Sequence, residues 1–397
     1  MSSSRSNQIA VLKIFLHAAF FISGIATVLI GQVLPILSAK FALNDQQTAG
    51  FFPAQFAGSV TGTVLTNWFG KRGKFLAASF AGCFLMAAGV ILLNFGSFGI
   101  CLAGFFINGI GIGLTLPAIN MLILELTTER TAAALSVLNF FWGFGAILSQ
   151  PFVDLLSRGT ELFLPTAILG GSLAAVGSLI ALMPADLEPN PGPRTEESPE
   201  DRPIWTHPAA WMIAGFNFIH VGFESAMGGW LKTYTQRVEA DAVTLIQPIT
   251  LYFLFFVIGR GTAPAMFRFL NDNRMLGASL TVTLAGVFIL LAAQSIPMLS
   301  LGAAIAGFGS SSIFPTNMSR FTKTFGPTAT RRATPFFISG TLGAAFTTWF
   351  IGYVSTRFES LRSGMLILFG SIVVLIVLQA VLSFGSAGAV RAHGVRE

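Results

Sequence analysis

Charge is scarce in this chain. Only 10% of its 397 residues are Asp, Glu, Lys or Arg, against about 25% in soluble domains. A surface so poor in charge is not built to face water. Cysteine is nearly absent too: Cys83 and Cys101 both fall in apolar segments and offer no disulfide framework or metal spacing. With four His and no HExxH or GxSxG pattern, the groups that an intramembrane metalloenzyme or hydrolase needs are missing. The phosphate-binding GxxxxGK[ST] pattern is missing as well, which leaves ATP-driven work unsupported. The expectation is a protein that is not an enzyme and has no resident cofactor or metal.

Apolar length takes the place of charge. The chain is 53% hydrophobic with 40 Phe, and its mean hydropathy is +0.73. Runs of about 20 apolar residues cross a bilayer as helices, and twelve such runs are legible. They lie near 12–37, 49–69, 75–95, 98–123, 131–153, 162–183, 208–231, 244–267, 275–294, 297–319, 332–355 and 363–384. The first is too long for a signal-peptide core and lacks a cleavage site. The predicted class is an all-α polytopic membrane protein.

The pI near 9.7 could suggest nucleic acid, but the basic residues are scattered at span ends rather than gathered in a stripe. With the N-terminus inside, sixteen Lys and Arg fall on the cytoplasmic side, and six (Lys40, Arg158, Lys232, Arg237, Arg357 and Arg362) on the other. That asymmetry places both termini in the cytoplasm. The partners expected are a lipid bilayer and a small solute, not nucleic acid, with the chain acting as a monomer.

Between spans six and seven the composition changes. Residues 184–208 hold seven of the 18 Pro and six of the 17 acids, too polar a stretch to bury a core. We divide the chain there into a six-span half (1–183), a cytoplasmic linker (184–207) and a second six-span half with a short tail (208–397). The halves look duplicated. A shift of 198 residues pairs Gly24 with Gly222, Gly104 with Gly302, Gly109 with Gly307, Gly111 with Gly309, Gly145 with Gly343 and Pro117 with Pro315. Two pseudo-symmetric six-helix bundles follow.

Polar residues deep in such spans are the functional candidates. Glu224 is the one acid that sits in the middle of an apolar run, and His220 stands one turn earlier on the same face. Three roles stay open for Glu224: carrier of a coupling proton, a charged group that binds a cation or hydroxyls, or a structural acid. Arg260, in span eight, is the one base inside a span. It reads as a gate or clip nearer the cytoplasmic end, not as a partner of Glu224. Asn120, Asn139, Asn217 and Asn317 put amides at mid-helix depth, with Gln55 and Gln247 as outlying candidates. Amides satisfy both hydroxyl roles of a sugar, and an indole covers its apolar ring face. Asn139 and Trp142 share one face of span five. Each amide could equally be glue between helices.

Span two ends in Asn67-Trp-Phe-Gly-Lys71-Arg72-Gly-Lys74. This resembles the cytoplasmic loop signature of the major facilitator superfamily, with Asn67 where an acid is expected, so the charge clip is weakened. Lys71 and Arg72 are then gating candidates. Within that superfamily the chain resembles the fucose–galactose–glucose permease group, the L-fucose/proton symporter-like branch. The matching stretches are Pro117-Ala-Ile-Asn120, Leu138-Asn-Phe-Phe-Trp-Gly-Phe-Gly-Ala146, Val221-Gly-Phe-Glu224 with Trp230, and Phe314-Pro-Thr-Asn317.

The resemblance implies a monosaccharide carrier of the hexose or L-fucose type in a bacterial cytoplasmic membrane, with Asn139 and Trp142 among its sugar contacts. The fucose symporters couple through acids in spans one and four, but the matching positions here, near Gly31 and Leu116, are not acidic. Coupling to H+ through Glu224, coupling to Na+ and uncoupled passage all stay open. The competing expectation is efflux of an amphipathic drug or metabolite. A non-transporting sensor is the third, because fold alone does not define function.

Overall fold

A computed structural model describes residues 2–127, 131–187, 204–239, 246–326 and 333–393. The first half comprises α1 (Ser2–Phe41), the short α2 (Asp45–Ala49), α3 (Phe51–Gly70), α4 (Phe75–Leu92), α5 (Phe98–Glu125), α6 (Thr131–Leu156) and α7 (Phe163–Ala181). The second comprises α8 (Pro208–Val238), α9 (Pro248–Met266), α10 (Asp272–Ala292), α11 (Ile296–Ser310), α12 (Ile313–Phe325), α13 (Thr334–Arg357) and α14 (Leu361–His393). The chain clusters into two compact units, Met1–Glu197 and Ser198–Glu397. Most of the expected linker (188–203), together with Arg130, Arg331 and Arg332, lies outside the described residues.

Local chemistry sets the helix starts. Asn44 and Gln47 form a reciprocal capping box at α2. Ser97 accepts from the Ile100 N–H at α5, and Asn271 from the Arg274 N–H at α10. Proline in the first turn opens α8 and α9, where its missing N–H costs nothing.

Among the described residues, ten helices are long and apolar enough to cross a membrane, with α11 and α12 forming one such span. The twelve expected spans include two more, α3 (20 residues) and α8 (31 residues). Both dilute their apolar residues with polar and small ones, Gly, Thr and Asn in α3 and Gly, Asn, His and Glu in α8, which lowers their hydropathy. α8 also runs on to Val238, seven residues beyond the expected end at 231. Lys232, placed on the non-cytoplasmic side beyond the span, is therefore part of that helix and buried at 2% exposure.

The repeated glycines are the points where paired helices touch. A Cβ on Gly145 of α6 would stand 2.1 Å from the Phe21 carbonyl oxygen of α1, and one on Gly343 of α13 would stand 1.9 Å from that of Phe218 in α8. A Cβ on Gly109 of α5 would stand 2.0 Å from the Gln55 oxygen of α3, and one on Gly307 of α11 would stand 2.2 Å from the Tyr252 oxygen of α9. Small residues let helix backbones approach this closely where lipid gives no hydrophobic drive for helices to associate. The same contacts thus recur in both units, and the 198-residue shift has a structural meaning.

Candidate functional site

α8 carries a polar stripe. Asn217, His220 and Glu224, spaced three and four residues apart, lie along one face of the helix. Asn217 and His220 are buried, while the Glu224 side chain keeps 18% exposure. His220 Nε2 is 3.1 Å from Glu224 Oε1, within ion-pair distance but not aligned as a hydrogen bond. The Asn217 amide donates to the Phe336 carbonyl at 2.8 Å, and that of Asn317 to the Ile213 carbonyl at 3.2 Å. Each amide has thereby committed one of its two N–H donors to backbone. Their oxygens, like Glu224 Oε1, are buried acceptors that no donor of the described residues reaches. Such oxygens are costly unless a donor arrives. A proton, a cation or a hydroxyl-bearing solute would supply what is missing.

Arg260 belongs with this group, contrary to the sequence-based expectation. The Glu224 carboxylate lies within electrostatic reach of both the Arg260 guanidinium and the Tyr252 hydroxyl. Counted back from Val238, Glu224 is about 21 Å along α8, and Arg260 is about 18 Å along α9 from Pro248, at 1.5 Å per residue. The guanidinium sits 4.3 Å over the Phe256 ring, and its Nε donates to the Ser311 carbonyl at 3.4 Å. The Tyr252 hydroxyl is 3.4 Å from Ser310 Oγ. Phenol and guanidinium therefore meet the serines at the α11–α12 junction, with the Glu224 carboxylate within their electrostatic reach. Tyr252 and these serines escaped the sequence reading; the run Ser310-Ser311-Ser312 ahead of Pro315 was the available signal.

Trp230 has a different role. It is wholly buried, and its indole N–H donates to the Thr348 carbonyl at 2.9 Å, tying α8 to α13. No ring face is open to a solute. Trp230→Phe, which removes that donor and part of the buried ring, is expected to cost about 2–4 kcal/mol of stability, measured as a lower unfolding temperature with solute selectivity unchanged. Gln247 sits at the N-cap of α9, at the end of the helix rather than in its middle.

In the first unit the candidates scatter. Asn139 is exposed and bonds its own helix at the Leu135 carbonyl, 2.8 Å away. Trp142 is half-buried and turns its indole N–H toward Thr27 Oγ1 of α1, at 3.5 Å. Residues three apart are rotated by about 60° on a helix, which is enough to part them. Asn120 likewise bonds the Leu116 carbonyl of its own helix at 2.8 Å. Gln55 is buried and donates to the Thr27 carbonyl at 3.0 Å, leaving its oxygen without a donor. Lys71 and Arg72 are exposed at the end of α3, with Arg72 stacked 3.6 Å over the Trp68 ring. Among the described residues a close charged contact between helices stands in the second unit, where Lys323 Nζ is 2.6 Å from Asp272 Oδ2.

The Major Facilitator Superfamily profile matches residues 16–334. The chain belongs to this superfamily and is an integral membrane transporter. It is 26% identical over 383 residues to a Helicobacter pylori (strain J99) protein named "Putative glucose/galactose transporter", covering 88% of this chain and 90% of that one. The protein of the same name from a second H. pylori strain is also 26% identical, over 380 residues.

Solved structures share the fold. FucP, the E. coli fucose:proton symporter, matches in its outward conformation with a TM-score of 0.63 at 20% identity, over 94% of this chain and 99% of that one. The nucleoside transporter NupG matches with a TM-score of 0.77 at 13% identity, over 93% and 99%. A bacterial homologue of the human lysosomal transporter Spinster, inward-facing and occupied, matches with 0.75 at 15%, over 96% and 97%.

Proposed function

We propose that the protein is a secondary carrier for a monosaccharide, driven by protons through Glu224 and working by alternating access. The observation that carries this reading is a set of unpartnered acceptors inside the second unit. Asn217 Oδ1, Asn317 Oδ1 and Glu224 Oε1 are buried acceptors without donors, and a sugar brings a row of hydroxyl donors on a neutral frame. The names of the H. pylori relatives support the same solute class. In this reading Glu224 takes up the proton, His220, 3.1 Å away, passes it on, and Arg260 sets the electrostatic background. The carrier acts as a monomer in a bacterial cytoplasmic membrane, with both termini inside.

Binding must favour neither exposed state strongly, because a solute that did so would trap the carrier. The solute class is tested by ligand-dependent unfolding of the purified protein. At about 100 times its Kd a true solute stabilises by about 2.7 kcal/mol. D-glucose, D-galactose or L-fucose is expected to raise the unfolding temperature, and hydrophobic cations such as tetraphenylphosphonium are not. The reverse pattern would replace the sugar reading with efflux of amphipathic compounds.

A further inference from the structure

A proline inside a helix leaves one carbonyl, four residues earlier, without its N–H partner, and its ring pushes that carbonyl aside. In α5 the proline is Pro117 and the orphan is the Gly113 oxygen. In α12 the proline is Pro315 and the orphan is the Ser311 oxygen. Each orphan has a replacement donor from the second span of its own unit. Thr66 of α3, buried at 4% exposure, puts its hydroxyl 2.9 Å from the Gly113 oxygen, with the Leu114 oxygen at 3.2 Å. Arg260 of α9 puts Nε 3.4 Å from the Ser311 oxygen.

Neither contact comes from chance crowding, because glycines open the way to both. A Cβ on Gly62 would stand 2.1 Å from the Ile110 oxygen, and one on Gly259 would stand 2.3 Å from Ser311 Oγ. Backbone groups freed by proline at membrane depth persist only where a neighbouring helix satisfies them, and in both units the same neighbour does so.

We infer that Thr66 and Arg260 are positioning residues that clasp the Pro117 and Pro315 kinks, each by giving the orphaned carbonyl the donor that proline withholds. The two clasps differ in kind. Thr66 offers a neutral hydroxyl shared among carbonyls, since the Gly62 oxygen is also within 3.1 Å. Arg260 offers a charged donor on a long side chain beside Ser311 and Ser312, where the helix is already interrupted. A cleft of about 40 Å³, lined in part by Gly259, Ser279, Ser311 and Ser312, adjoins this break. The second kink thus has a releasable clasp and space beside it, whereas the first is held by a short buried contact. Release at Ser311 is the step that lets α12 swing on α11 during the transport cycle, whatever the solute.

The test needs no solute. Amide hydrogen exchange of the full-length protein in nanodiscs is compared for wild type, Arg260→Met, Pro315→Ala and the double variant. Losing a hydrogen bond from a charged donor should raise exchange across residues 308–320 by about tenfold or more. Restoring an N–H at 315 in the double variant should bring it back to the wild-type level. A structural loss at Arg260 unrelated to the kink would raise exchange broadly and would not be rescued. Thr66→Val, which keeps side-chain shape, should raise exchange across 110–120, with rescue by Pro117→Ala. The proposal is overturned if Arg260→Met leaves 308–320 unchanged, or if Pro315→Ala fails to restore it. A further arm uses exchange of labelled D-glucose across proteoliposomes. Pro315→Ala alone should lower the maximal exchange rate without raising the half-saturating concentration; a raised half-saturating concentration instead would contradict the hinge assignment.

Discussion

Glu224→Gln is expected to abolish proton-driven accumulation of solute. The ratio of inside to outside solute should fall to the equilibrium value, because a carrier that no longer moves the proton has no driving force for accumulation. Gln keeps the shape of Glu and can still accept a hydroxyl bond, but it cannot exchange a proton. The variant should therefore retain solute exchange at equal concentrations on both sides while losing uptake against a gradient. His220→Gln, which removes the neighbour 3.1 Å from the acid, should weaken accumulation less, because the acid remains. Accumulation that survives in Glu224→Gln would reduce Glu224 to a structural acid and require another coupling route, whereas gradient-independent transport in both proteins would mark a uniporter.

Gly343→Leu is expected to prevent folding. Even its Cβ would meet the Phe218 carbonyl oxygen at 1.9 Å, and a backbone oxygen cannot turn away as a side-chain tip can. Overpacking of this kind costs ~3 kcal/mol or more, a large share of the marginal stability of a folded protein. Gly145→Leu should behave alike, its Cβ meeting the Phe21 oxygen at 2.1 Å. Gly370→Leu is the control, since nothing lies within 4 Å of its Cβ. Size-exclusion profiles of detergent extracts should show aggregate for the first two variants and a single folded peak for the third. Equal yields for all three would mean that the paired helices do not depend on close glycine contacts.

The elements legible in the sequence were those written in composition and spacing. Apolar length marked the spans, and the 198-residue shift picked out Gly109 and Gly307, Gly145 and Gly343, which prove to be matching contact points. Less legible was anything set by where a helix ends. Nothing in the Trp230–Val238 stretch signals that α8 continues past residue 231, yet that continuation carries Lys232 in the helix, where it is buried. Side-chain direction was illegible too. Trp230 and Trp142 suit a sugar site by residue type, but the partner that each indole finds, the Thr348 carbonyl or the Thr27 hydroxyl, depends on a helix more than 100 residues distant in sequence. Proline arithmetic stands between these cases. The orphaned carbonyls of Pro117 and Pro315 follow from the sequence alone, whereas their donors, Thr66 and Arg260, follow only from packing.

The measurement closest to the central claim is entrance counterflow. Proteoliposomes loaded with unlabelled D-glucose are diluted into trace labelled D-glucose without any ion gradient. A hexose carrier should show a transient overshoot of label inside the vesicles, diminished by external D-galactose and unaffected by tetraphenylphosphonium. Label that never exceeds the level in protein-free vesicles, with D-galactose and L-fucose counterflow equally flat, would contradict the monosaccharide assignment.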